Sequence, residues 1–183
     1  ALAALKPEDR FRFTPSGVSK RWIPGSSPAG YYANGDEHTE SGVLTEEAEP
    51  VRRMMEKRLR KLEAIKKTLP APQIYGPSTG ARLSFVGWGS SKNAILDAME
   101  VLKKKKISVN YLHYEYLYPF AAGPLQAFFR QNRNVHLIEG NALGQFGKMA
   151  EAESGLRFKG RLLKYDGRPF FTEDVLDYIS NAF

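Results

Sequence analysis

The sequence contains no cysteine. That absence excludes a disulfide framework, a thiolate metal site, a cysteine nucleophile and cysteine ligation of an iron–sulfur cluster by this chain. No apolar run approaches membrane-spanning length, so a membrane is not an expected partner. No basic segment precedes an apolar one near the start, and Pro7 comes early, so no signal peptide is read. The expected location is cytoplasmic. The chain starts at Ala1 without methionine, which suggests a processed product or a piece of something longer. What is present, 42% hydrophobic and 26% charged residues in 183, suits one globular domain, or one domain with a long extension.

The net charge of +7 is concentrated. Between Val51 and Lys67 lie eight basic side chains, Arg52, Arg53, Lys57, Arg58, Arg60, Lys61, Lys66 and Lys67, opposed only by Glu56 and Glu63. Such a face suits nucleic acid, an acidic partner or an anionic ligand. No arginine–aromatic interleaving accompanies it, so a solvated helix face set against the acids of a neighbouring subunit is the preferred reading.

The compact part of the chain is organised around Leu83-Ser84-Phe85-Val86-Gly87-Trp88-Gly89-Ser90. Leu83, Phe85, Val86 and Trp88 predict a short buried strand. Two glycines break the run, and Ser90 or Ser91 can cap a helix beginning near Lys92. Ala94, Ile95, Ala98, Met99 and Leu102 give that helix one apolar stripe. The unit then repeats. Strands are expected at Arg82–Gly87, Ile107–Leu112, Val135–Ile138 and near Arg161–Tyr165. Helices are expected at Lys92–Lys103, Pro124–Gln131, Phe146–Glu153 and Thr172–Asn181. Alternation of this kind predicts a three-layer α/β domain over 81–183, with a mostly parallel sheet.

Residues 1–44 read differently. Proline and glycine recur from Pro15 to Gly35 and break regular structure, although Phe11-Arg12-Phe13-Thr14 suits a short strand. Trp22, Tyr31 and Tyr32 argue for an ordered, extended arm packed on another surface. An arm of this length is odd inside a compact domain and suggests that part of the molecule is elsewhere. A long helix follows from about Thr45 to Lys67, with Val51, Met55, Leu59, Leu62 and Ile65 as its packing stripe. Three prolines and two glycines make Leu69–Gly80 a linker, so 45–80 forms a middle segment of helix and linker.

Three places could contact a ligand or subunit. The loop Gly35–Gly42 holds Asp36, Glu37, His38 and Glu40. Carboxylates beside an imidazole suit acid–base or metal chemistry, but the spacing matches no established metal site, and a turn whose acids serve the next helix is the plainer use. The loop after the third predicted strand places Glu139, Asn141 and Gln145 where ligands of open α/β sheets lie. Binding a ligand and capping the following helix are equally good uses of Asn141. Tyr111, Tyr114, Tyr116 and Tyr118 cluster around the end of the second predicted strand and suit a subunit interface. Asp166-Gly167-Arg168-Pro169-Phe170 is read as a turn, and His113 and His136 as core or edge histidines. No nucleophile–base set, metal site or complete phosphate loop emerges.

Six motifs in order resemble one family. They are Gly17-Val18-Ser19 with Ile23-Pro24-Gly25, the Gly35–Gly42 loop, and Arg53, Met54, Lys57, Arg58 and Lys61. Trp88-Gly89-Ser90, Glu139-Gly140-Asn141 with Gly144-Gln145, and Asp166–Phe170 complete the set. Together they look like the C-terminal part of the alpha subunit of 2-oxoacid:ferredoxin oxidoreductases. The resemblance implies a connecting arm followed by a domain similar to the C-terminal domain of transketolase. It implies a parent enzyme that oxidatively decarboxylates a 2-oxoacid with coenzyme A and passes electrons to ferredoxin. That enzyme would use thiamine diphosphate, magnesium and a 4Fe-4S cluster, with a beta subunit carrying the thiamine and the cluster. The family's pyrimidine-domain motif has no counterpart here, so no catalytic residue is expected in this chain, which would act mainly in subunit contact. The alternative is a free-standing α/β module that binds nucleic acid or another polyanion through the basic helix. A further reading has coenzyme A or a nucleotide at the loops after the strands.

Overall fold

The computed structural model describes residues 4–23, 25–26 and 30–182. The chain divides into two compact units, Ala1–Leu69 and Pro70–Phe183.

The first unit consists of the arm, a short 3-10 turn at Pro7–Arg10, and helix α1 (Ala48–Lys66). Glu47 precedes α1 without a side-chain cap, and Pro50 falls in the first turn, where its missing N–H costs nothing. Phe11–Thr14 forms no strand; the Phe13 amide donates instead to the Glu40 carboxylate, at 2.6 Å. The expected packing stripe of α1 is displaced by a fraction of a turn. Met54 and Lys57 are its buried residues, while Met55 and Leu59 lie exposed. The reason is the arm, which packs on the helix with aromatic rings and needs cations and backbone contacts beneath it. Trp22 is buried against Tyr31, ring centroids 5.1 Å apart.

The second unit is a five-stranded sheet in the order β1-β3-β2-β4-β5. The strands are β1 (Gln73–Tyr75), β2 (Leu83–Trp88), β3 (Val109–Tyr114), β4 (Val135–Glu139) and β5 (Gly160–Leu163). Four run parallel, and β1 pairs antiparallel with β3, Ile74 opposite Leu112. The three-layer, mostly parallel architecture read from the sequence is present. One strand more is present than the sequence suggests, because β1 lies within the proline-rich stretch 69–80, whose composition is that of a linker. Its three residues alternate too briefly to signal a strand, and only the exposed edge of β3 gives them partners.

Helices α2 (Ser91–Lys104) and α5 (Thr172–Ala182) cover one face, and α3 (Ala122–Gln131) and α4 (Gln145–Ser154) the other. Side-chain alternation divides the core accordingly. Leu83, Phe85, Tyr111 and Ile138 point to α2 and α5, whereas Val86, Leu112, Tyr114 and Leu137 point to α3 and α4. Ser91 does not cap α2; its hydroxyl donates back to the Trp88 carbonyl, at 2.8 Å.

Trp88 departs from expectation. It is 36% exposed, because β2 ends there and its ring passes beyond the core to lie 6.4 Å from Phe146. Trp88→Ala is therefore expected to cost only about 1–2 kcal/mol, against roughly 3–5 kcal/mol for the fully buried Phe85→Ala. Urea unfolding of the two variants checks the ranking, and equal losses would return Trp88 to the core.

Candidate functional site

In the first unit, Asp36, Glu37 and His38 open a tight hairpin. Thr39 N–H donates to the Val43 carbonyl, and His38 bridges to Leu44. Each acid but one then has a task within the unit. Glu37 pairs with Arg58 of α1 at 2.6 Å, and Glu40 accepts the Phe13 amide. Asp36 stays exposed. His38 is buried beneath the Phe11 ring, centroids 4.2 Å apart, and its Nδ1–H donates to the Thr39 carbonyl at 2.9 Å. A metal or a proton-transfer chain would need these groups to converge, and they diverge. Among the described residues, no group of three or more histidines and carboxylates could hold a metal ion.

The cations of α1 serve the same packing. Lys57 Nζ donates to the Phe11 carbonyl at 2.5 Å, and the Arg53 guanidinium lies 4.5 Å from the Phe13 ring centroid. Arg52 pairs with Glu49 at 2.5 Å. Burial pushes the Lys57 ammonium pKa down to about 8, helped by the like charge of Lys61. Half of the basic set is thus engaged within the unit rather than presented to a polyanion.

In the second unit, β2, β3, β4 and β5 are parallel, so the loops after them emerge at one end of the sheet. Glu139, Asn141 and Gln145 meet there at the start of α4. Glu139 is almost wholly buried, and its carboxylate accepts the Phe146 amide at 2.9 Å and the Gly147 amide at 3.1 Å. The Asn141 side-chain amide also donates to Glu139. Asn141 Oδ1 in turn accepts the Leu143 amide at 3.0 Å and the Gln145 amide at 3.3 Å. The pair thus satisfies the free N–H groups of the helix with a built-in negative charge. A phosphate or diphosphate would meet that carboxylate where a phosphate-binding loop offers bare amides. Gln145 keeps its side chain exposed.

Around this end several large apolar or aromatic side chains are exposed, Trp88, Tyr116, Tyr118, Leu143, Tyr165 and Phe171, with the polar Glu115, Asp166 and Arg168 exposed among them. The sequence grouped four tyrosines as one interface. The structure separates them, burying Tyr111 and Tyr114 within β3 and leaving Tyr116 and Tyr118 outside. Strand β3 begins and ends two residues later than the apolar pattern suggested, which brings Tyr114 inside beside Tyr111, already within the expected strand.

The histidines of the sheet have tyrosine partners. His113 Nδ1 lies 2.7 Å from the Tyr111 hydroxyl. His136 lies 2.7 Å from the Tyr178 hydroxyl through Nδ1 and 3.0 Å from Asn134 Oδ1 through Nε2. Burial lowers both imidazole pKa values from the ordinary 6.5, Lys92 adding to the effect on His113 and Lys159 on His136. Below pH 6.5 the unfolded chain therefore binds more protons than the folded one, so stability falls as pH drops through that window and is regained on raising it. Urea midpoints should be lower at pH 5.5 than at 7.5, and substituting both histidines with asparagine should narrow the difference. An unchanged difference would assign the pH dependence to other groups.

No protein-family model matches the chain. It is similar to the alpha subunit of 2-oxoacid:ferredoxin oxidoreductase of Saccharolobus solfataricus, 31% identical over 173 residues, covering 93% of this chain and 27% of that protein. The alpha subunit of 2-oxoacid:ferredoxin oxidoreductase 1 of Aeropyrum pernix is 34% identical over 177 residues, 90% of this chain and 27% of that one. The chain thus spans about a quarter of the length of these curated relatives. A solved structure of 2-oxoglutarate:ferredoxin oxidoreductase from Magnetococcus marinus, with 2-oxoglutarate, coenzyme A and succinyl-CoA bound, superposes with a TM-score of 0.76. It covers 94% of this chain and 30% of that one at 23% identity, a likeness of fold. Over nine-tenths of its length, this chain is a homologue of part of the alpha subunit of 2-oxoacid:ferredoxin oxidoreductases.

Proposed function

We propose that the chain is the C-terminal portion of the alpha subunit of a thiamine-diphosphate-dependent 2-oxoacid:ferredoxin oxidoreductase, and that it serves there in subunit contact. The assembled enzyme would convert a 2-oxoacid and coenzyme A to acyl-CoA and carbon dioxide, passing the two electrons released to ferredoxin. One observation carries the structural part of this reading. The polar groups best placed for chemistry, Glu37, His38, Glu139 and Asn141, are bound up in their own units. Large aromatic and apolar side chains, by contrast, stay accessible at the carboxyl end of the sheet, with polar ones such as Glu115, Gln145 and Arg168 among them, and exposed aromatics ringed by polar groups suit an interface.

The donor set does not fit the enzyme's redox group. A 4Fe-4S cluster takes cysteine thiolates, and this chain has none. The start of α4 does not fit a diphosphate either, since Glu139 fills it. Thiamine diphosphate, magnesium and the cluster would be held by the remainder of the alpha subunit and by a beta subunit.

The test is to purify the protein from its source with whatever accompanies it, and to record the visible spectrum on adding a 2-oxoacid and coenzyme A. A cysteine-bearing partner and an iron–sulfur band that bleaches with substrate are expected. A lone, colourless protein indifferent to both reagents would overturn the reading.

A further inference from the structure

At the opposite, amino-terminal end of the sheet a cleft of about 760 Å³ opens between β1, the start of β3 and the second half of α2. Its size falls in the range of small-molecule sites. Tyr75, Leu96, Met99, Ile107 and Val109 give it an apolar lining. Lys103 and Lys106 stand at one end, while Asp97 and Glu100 lie one to two turns earlier on α2. From Asp97 to Lys103 the helix rises about 9 Å, so the cleft carries opposite charges along its length.

Lys106 is the informative residue. Its backbone is left-handed, φ +60°, and it is the single non-glycine residue in that region among those described. Lys106 N–H donates to the Lys103 carbonyl and Ile107 N–H to the Leu102 carbonyl, the double closure of a helix end where glycine is the usual occupant. Offsetting the helix dipole accounts for Lys103 and Lys104 in the last turn. It does not account for a lysine where the backbone favours glycine. A strained residue at the mouth of an apolar cleft points to a use for its side chain.

We infer that this cleft binds a small amphiphilic organic anion. Its apolar or aromatic body lies along Leu96, Met99, Ile107 and Tyr75, and its acidic head reaches the ammonium groups of Lys103 and Lys106. Asp97 and Glu100 repel the head from the other end and so set the orientation.

The probe is n-octyl phosphate below its micelle concentration, titrated into the full chain and followed by amide chemical shifts. Shifts are expected to gather at residues 75–77 and 96–109, with octyl glucoside, the same tail on a neutral head, binding at least fivefold more weakly. Lys106→Gly relieves the backbone and should raise Tm by roughly 2–5 °C, so its lost affinity cannot reflect unfolding. Combined with Lys103→Gln it should weaken binding at least tenfold. Undiminished affinity in that double variant, or shifts gathered elsewhere, would overturn the inference. So would binding to phosphatidylglycerol vesicles in preference to monomeric octyl phosphate, which would assign the lysines to a membrane surface.

Discussion

Gly17→Ala is expected to release the arm from α1. Gly17 holds φ +75°, a region that costs an alanine about 1–2 kcal/mol before any contact is counted. A Cβ there would also lie 2.7 Å from the Lys61 amide nitrogen and closer still to the Lys57 carbonyl oxygen. Both are backbone atoms inside a helix and cannot rotate aside, so the chain near Gly17 must lift off. The contacts that depend on this approach follow: Arg53 on Phe13, and Lys57 on the Phe11 carbonyl. With the cost of overpacking added, the loss is roughly 2–5 kcal/mol within the first unit. Limited proteolysis should cut the arm rapidly in the variant, and the Lys57 and Lys61 amides should exchange faster. Sheet amides of the second unit serve as the internal control. Unaltered cleavage would mean that the arm is held elsewhere.

Glu139→Ala carries the largest expected effect of any polar substitution in the second unit. The substitution strips a buried carboxylate from two backbone amides and from Asn141, leaving donors without partners at the start of α4. Hydrogen bonds to a charged group contribute about 1.5–3 kcal/mol each, and an abandoned buried donor costs about as much. A loss of roughly 3–5 kcal/mol follows, read as a lower urea midpoint at constant m-value. Glu139→Gln preserves the shape but offers one acceptor oxygen for two amides, and should lose about half as much. A Glu139→Ala protein as stable as the parent would show that the carboxylate does not hold α4, and would return Glu139 to the set of groups available to a ligand.

These two positions mark what sequence reasoning reaches. Glu139-Gly140-Asn141 stood out because a strand running into a glycine-bounded polar loop is a local signal. Which donors its oxygens accept was not local, since it depends on where α4 begins relative to β4. Gly17 was legible as part of a motif, yet nothing in its neighbours in sequence points forty residues ahead to the backbone of α1. The tyrosines make the same point. Four tyrosines in eight residues were plain in the sequence, and a strand ending two residues past its expected place decided that Tyr114 lies inside with Tyr111.

By itself the sequence determined the alternation of strands and helices, the mostly parallel sheet, the long helix and the absence of cysteine chemistry. Each of these depends on periodicity or on residue type, which need no partner to be read. Tertiary structure alone decided that the arm and α1 pack into one unit, that Trp88 reaches the surface, and that β1 completes the sheet edge. It alone decided that Glu37, Lys57, Arg58 and Glu139, among the conspicuous acids and cations, are occupied with one another or with the backbone. The physical reason is the same throughout: burial and charge pairing are settled by neighbours distant in the chain, and a sequence pattern records only which face a residue takes.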